Sequence, residues 1–144
     1  MEQIRKARIT DELPVYKLIA ELEGEGIDWT RFAEIYQKHL RHPKVQYWVY
    51  EMDGMISGFV SIHMQELLHH AARIAEIQEL IVEKDMRGRG IGKKLFQKAG
   101  EIGRENGCMQ LEVCCNQKRL ASHAFYEAQG MTNHHYKFCM PLVP

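Results

Sequence analysis

Arg87-Gly88-Arg89-Gly90-Ile91-Gly92 separates an apolar run at 77–82 from a stretch of helical periodicity at 91–103. Strand, glycine-rich turn, helix is the order that most constrains what this chain can fold into. It aims several backbone N–H groups at one spot, at the positive end of a helix dipole, where a phosphate is stabilised. Glycine serves there because a side chain would hold phosphate oxygens away and because tight turns use positive φ. Two nucleotide motifs are excluded. A P-loop needs Ser or Thr after Gly-Lys, and here Gly92-Lys93 is followed by Lys94. A dinucleotide fingerprint needs G-x-G-x-x-G, and position 93 is Lys.

The chain has 144 residues, which suits one domain over 1–144. Its 19 basic and 19 acidic residues cancel, so nothing draws it to nucleic acid or to a membrane surface. The basic residues do cluster, at Arg87 to Lys94 and at Lys118-Arg119, which points to a small anionic ligand. The polar start, Met1-Glu2-Gln3-Ile4-Arg5, does not read as a signal peptide. No apolar run reaches the ~18–20 residues of a membrane span. The four cysteines lack a zinc spacing and read as reduced thiols, so a cytoplasmic protein is expected.

Residues 4–9 read as a strand. Thr10-Asp11 caps a helix with Val15, Leu18, Ile19 and Leu22 on one face, ended by Gly24-Glu25-Gly26. Thr30 caps a second helix bearing Phe32, Ile35, Tyr36 and Leu40, stopped at His42-Pro43. Strands follow at 45–52 and 55–64, joined by the hairpin pair Asp53-Gly54. Residues 69–72 connect to a strand at 73–82. After the glycine loop come a helix with Ile91, Leu95, Phe96, Ala99 and Ile102 inward, a strand at 108–115 and a helix at 120–129. A last strand, single or doubled, is expected at 131–140. Antiparallel strands followed by a β-α-β crossover predict an α/β (α+β) fold, with a mixed, mostly antiparallel sheet and helices on both faces.

The glycines fit Arg/Gln-x-x-Gly-x-Gly/Ala, read as Arg87, Gly90 and Gly92. Asn116, Ala121, Phe125-Tyr126-Glu127 and Gly130-Met131 form a second motif, with Met131 where an aromatic is usual. Together they resemble the GNAT N-acetyltransferases over nearly the whole chain. His63, His69-His70, the segment Ile74-Ala75-Glu76-Ile77-Gln78-Glu79-Leu80 and Asn116-Gln117-Lys118-Arg119 resemble, more narrowly, the bacterial aminoalkylphosphonate N-acetyltransferases.

The resemblance implies acetyl-CoA as co-substrate. Main-chain groups along Leu80, Ile81 and Val82 would pair with its pantetheine arm. The amides of Arg87, Gly88, Arg89, Gly90, Ile91, Gly92 and Lys93 would hold its pyrophosphate, and Asn116 would bond the arm. It also implies a small-molecule amine acceptor, direct attack in a ternary complex, and a homodimer. An alkylamine with a pKa near ~10 must lose a proton at pH 7, at a cost of about 4 kcal/mol. A positioned base supplies part of this. Glu76 is the first candidate, because strict alternation puts Glu76, Gln78, Leu80 and Val82 on one face. Glu79 faces the other way unless a bulge intervenes, and is the second candidate. Tyr126 would protonate or hydrogen-bond the leaving sulfur.

His63, His69 and His70 could orient a phosphonate or relay protons, and no spacing among them specifies a metal. Lys118 and Arg119 could pair with an anionic acceptor. The rival readings are an acetyltransferase for another amine (a polyamine, an antibiotic, a protein N-terminus) and a non-catalytic acyl-CoA sensor. A cysteine nucleophile at Cys114 or Cys115 has no evident base.

Overall fold

The computed structural model describes residues 1–24 and 26–144. In chain order these form β1 (Glu2–Lys6), α1 (Glu12–Glu23), α2 (Trp29–Leu40), β2 (Val45–Met52), β3 (Met55–Leu67), β4 (Ala72–Val82), α3 (Ile91–Glu105), β5 (Gln110–Val113) and α4 (Leu120–Ala128). Contacts divide the chain into two compact units, Met1–Val113 and Cys114–Pro144.

The first unit holds one five-stranded sheet in the order β1-β2-β3-β4-β5. The first three pairings are antiparallel, and β4 with β5 is parallel. The expected mixed α/β architecture is therefore present. Asp53-Gly54 makes the β2–β3 hairpin, with φ of 50° and 80°, the left-handed pair that matches the strands' twist. Arg5 ties β1 to the entrance of α1 and to β2: its guanidinium donates to Asp11 at 2.7 and 3.0 Å and to Glu51 at 2.9 Å.

Each face of the sheet has its own core. Ile91, Leu95 and Ala99 of α3 pack with Tyr50, Val60, Ile62, Met64, Ala75 and Ile77. On the other face Val15 and Leu18 of α1 and Tyr36 of α2 pack with Val49, Phe59 and Ile81. The alternation of Phe59 with Val60, and of Val49 with Tyr50, divides the strands between these cores.

Several expectations are corrected. Asp28, not Thr30, caps α2, accepting from the Arg31 N–H at 2.8 Å. Asp11 precedes α1, but its carboxylate goes to Arg5 and to the Arg8 N–H rather than into the helix. Gly24 ends α1 with φ of 83°, and Glu25 lies outside the described residues. The strand expected at 131–140 is not formed. Tyr136, Phe138 and Met140 alternate like a strand but are 81%, 92% and 77% exposed. Alternation yields a strand only where a ladder partner exists, and the described sheet gives this stretch none.

Close packing of α3 on β3 depends on Gly58. A Cβ there would lie 2.9 Å from Leu95 Cδ1 and 3.2 Å from both Ile91 Cγ2 and Tyr50 Cβ. Gly58→Val should therefore destabilise the protein by about 1–3 kcal/mol, the usual cost of overpacking a core. Thermal unfolding should show a lower Tm. An unchanged Tm would mean that α3 moves away at no cost.

Candidate active site

The site is organised by an irregularity in β4. Gly58 pairs with Val82 and Ser61 with Glu79, but the next pairs are Ile62 with Ile77 and His63 with Glu76. Gln78 is thus an extra residue, a β-bulge. Strict alternation fails there. Ala75 and Ile77 before the bulge and Leu80 and Val82 after it all pack on the α3 side, while Ile81 packs under α1 and α2. The expected common face of Glu76, Gln78, Leu80 and Val82 is corrected accordingly. Glu76 and Glu79 share the α1/α2 side of the sheet.

A cleft of about 410 Å³ opens on that side. Phe32, Tyr36, Tyr47 and Phe59 give it aromatic walls, and His39, His63, Gln78 and Glu79 give it a polar floor. The Ser61 hydroxyl, fully buried, donates to the Glu79 carboxylate. It also accepts from the Glu79 N–H at 2.9 Å. His39 Nδ1 and the Tyr47 hydroxyl are 2.5 Å apart. The rings of His39 and His63 meet edge-on, 5.1 Å between centroids.

Burial sets the protonation tendencies here. It pushes the Glu79 carboxyl above its ordinary range, opposed by the Ser61 hydrogen bond. It pushes His39 down, and the neighbouring His63 adds to this. It also pushes His63 down, although Glu76 across the strands pulls the other way. The cluster therefore joins two imidazoles whose pKa values are pushed down to a carboxyl whose pKa is pushed up, opposed shifts that suit proton transfer.

His39, Tyr47 and Ser61 were not singled out in the sequence. His39 continues the stripe of Phe32, Ile35 and Tyr36, which was a usable signal. Tyr47 and Ser61 are visible only through the register Tyr47↔Ser61↔Glu79. His69 and His70 lie apart from this group, in the β3–β4 turn, with rings 4.4 Å apart. His70 Nε2 is 3.8 Å from a Glu112 oxygen. Four strand residues, about 13 Å, separate His63 from the end of β3.

β5 accompanies β4 only from Ile74↔Gln110 to Ile77↔Val113. Beyond the bulge, the β4 edge facing away from β3 has no strand partner among the described residues of the 1–113 unit. The glycine loop follows. Gly88 and Gly90 have φ of 79° and 80°, and the space where their Cβ atoms would stand is open. The first helical bond of α3 runs from Lys94 N–H to Gly90 O at 3.1 Å. The N–H groups of Ile91, Gly92 and Lys93 thus have no acceptor inside the helix. Arg87 turns back, its Nε donating to the Val82 carbonyl at 3.0 Å, while Arg89 and Lys93 are exposed. Loop and open edge together fit a long phosphorylated chain laid along β4.

In the second unit, Asn116 Oδ1 accepts from the Lys118 N–H at 2.9 Å, and its backbone carbonyl accepts from the Arg119 N–H at 3.0 Å. Asn116 thus shapes the turn into α4, and Lys118 and Arg119 sit in that turn. Burial pushes the Tyr126 phenol up to about 12, with Cys115 adding to the shift.

Residues 10–131 match the family described as "Acetyltransferase (GNAT) family". The chain is 38% identical over 140 residues to the aminoalkylphosphonate N-acetyltransferase of Salmonella typhimurium, covering 97% of this chain and 91% of that protein. Among solved structures, a transcriptional regulator from Bacillus halodurans superposes with a TM-score of 0.90 at 20% identity, covering 99% of this chain and 100% of that one. Glucosamine-6-phosphate N-acetyltransferase from Arabidopsis thaliana gives a TM-score of 0.84 at 21% identity, covering 99% of both chains. At these identities the superpositions establish the fold.

The electrostatics of the floor give a direct test. NMR titration should place the imidazoles of His39 and His63 below the ordinary value near ~6.5. Glu76→Gln removes a negative charge that favours the protonated form, so it should lower His63 further and move His39 little. A rise at His63, or equal shifts at both rings, would refute the Glu76–His63 pairing.

Proposed function

The chain belongs to the GNAT acetyltransferase family, and on that premise we propose that it transfers acetyl from acetyl-CoA to the primary amine of a small aminoalkylphosphonate. The observation that carries the reading is the bulge at Gln78. It sets Glu79 in the cleft floor where β4 begins to run with an unpaired edge. The acceptor class rests on the Salmonella relative, whose likeness spans nearly the whole chain.

In this reading the amides of Ile91, Gly92 and Lys93, with Gly88 and Gly90, hold the pyrophosphate of acetyl-CoA. The main chain of Leu80, Ile81 and Val82 carries its pantetheine arm, and the amide nitrogen of Asn116 adds a bond to that arm. The co-substrate supplies an activated acetyl thioester. Glu79 takes the amine proton. Its raised pKa brings it nearer to that of the amine. Glu76, opposite His63 across the strands, biases that imidazole towards protonation. Tyr126, kept protonated by its burial, donates a hydrogen bond to the departing sulfur. His63, on the cleft floor, is assigned to the phosphonate, and His70, in the far β3–β4 turn, is not; Lys118 and Arg119 are proposed for it from the resemblance alone.

Two measurements test this. Gly90→Asp puts a carboxylate where phosphate belongs, and Asp tolerates the left-handed conformation better than most residues. Calorimetry should show acetyl-CoA affinity falling by about tenfold or more, the loss expected when one charge-assisted contact becomes a repulsion. Unchanged affinity would remove the loop from the cofactor site. Glu79→Gln should lower kcat/KM for aminomethylphosphonate by roughly 100-fold at pH 7. The loss should shrink as the amine itself deprotonates at higher pH. If Glu76→Gln shows that pH-dependent loss and Glu79→Gln does not, the two carboxylates exchange roles.

A further inference from the structure

The size and lining of the cleft exceed what an aminoalkylphosphonate uses. A dry cavity of roughly 150 Å³ already takes up benzene, and this cleft offers about 410 Å³. Its walls are a continuous aromatic run. Phe32 stacks on Tyr36 at 6.0 Å between centroids, Tyr36 meets Tyr47 at 5.4 Å, and Tyr47 meets Phe59 edge-on at 5.2 Å. Val15, Ile19 and Ile35 complete the apolar part. Arg31, paired with Glu34 at 3.0 Å, also lines the cleft, but along the aromatic run itself a phosphonate dianion loses its hydration without gaining a partner. The tail of an aminomethylphosphonate therefore points away from them.

We propose that the cleft admits a second class of acceptor, primary amines carrying an aryl or branched alkyl tail, and that the protein acetylates them. The proposal rests on the acetyltransferase reading above but not on its phosphonate acceptor. The aromatic run takes the tail, and the Glu79 carboxylate at the floor complements the ammonium head. The transfer balances as follows. The amine nitrogen forms a bond to the acetyl carbon, and the carbon–sulfur bond of the thioester breaks. Of the two protons the ammonium must lose, one passes to Glu79 before attack and the other ends on the departing sulfur, which leaves as a thiol. The products are an N-acetyl amide and free CoA.

The test compares 2-phenylethylamine, ethylamine and aminomethylphosphonate as acceptors for the full-length protein with acetyl-CoA, with rates referred to unprotonated amine. Burying one phenyl group should raise kcat/KM for 2-phenylethylamine over ethylamine by about 10- to 150-fold. Ile35 lines the cleft and is 39% exposed, so Ile35→Trp can fill the space without entering the core. It should cut the 2-phenylethylamine rate by about tenfold and leave aminomethylphosphonate within about twofold. Equal kcat/KM for the two amines, or an Ile35→Trp effect shared by both, overturns the proposal. Turnover of 2-phenylethylamine without turnover of the phosphonate supports it and removes the phosphonate acceptor instead. Calorimetry with 2-phenylethylamine reads the cleft apart from catalysis: failure to bind overturns the proposal, and binding without turnover overturns the acetylation of this class.

Discussion

One extra residue in β4 governs this molecule. Without the bulge at Gln78, strict alternation would carry the face of Ala75 and Ile77 on to Glu79, and that carboxylate would enter the apolar core beneath α3. Burying an unpaired carboxylate there is prohibitive. The bulge reverses the parity of the strand instead. Leu80 and Val82 take the α3 side, and Glu79 joins Glu76 on the side where His63, Ser61 and Tyr47 can meet it. β5 also stops pairing with β4 at Ile77, just before the bulge. A polar floor and an unpaired strand edge thus come from the same stretch of chain.

The two faces of the sheet carry different duties. Under α3 the core is built from aliphatic and aromatic side chains and is so tight that Gly58 is needed for the helix to approach. That rigidity fixes the start of α3, and with it the left-handed glycines that expose amides to an anion. Under α1 and α2 the packing is incomplete. The two helices lean on Val49, Phe59 and Ile81 but leave a cleft over Glu79 and His63. The polar groups there are held by one another, through Ser61 to Glu79 and through His39 to Tyr47. A buried polar cluster that satisfies itself costs little and still offers groups of shifted pKa to a ligand.

The parts legible in the sequence are those that local chemistry decides. Val45–Met52, with its β-branched and aromatic residues, forms a strand of those bounds, and Asp53-Gly54 forms its turn. The glycine loop and the buried stripe of α3 likewise follow from composition and period. Where two local signals competed, the wrong one could be chosen. Asp28 and Thr30 are both capping residues, and only the chain's path selects Asp28. Residues 131–140 show the limit from the other side. Tyr136, Phe138 and Met140 carry a strand's pattern, but a pattern cannot specify whether an edge is there to receive it.

The sequence by itself determined the glycine-rich turn, the order of the elements as far as α4 and the residue types available for chemistry, because each depends on neighbours a few positions apart. Only the tertiary structure decided which side of the sheet Glu76 and Glu79 occupy. A bulge leaves no local mark in the chain, and one added residue inverts every side chain beyond it. The structure also decided that His63 belongs with His39, Ser61 and Tyr47, while His69 and His70 stand at the far turn. Strand register and helix docking set those neighbours, and both are settled by the burial of residues far apart in sequence.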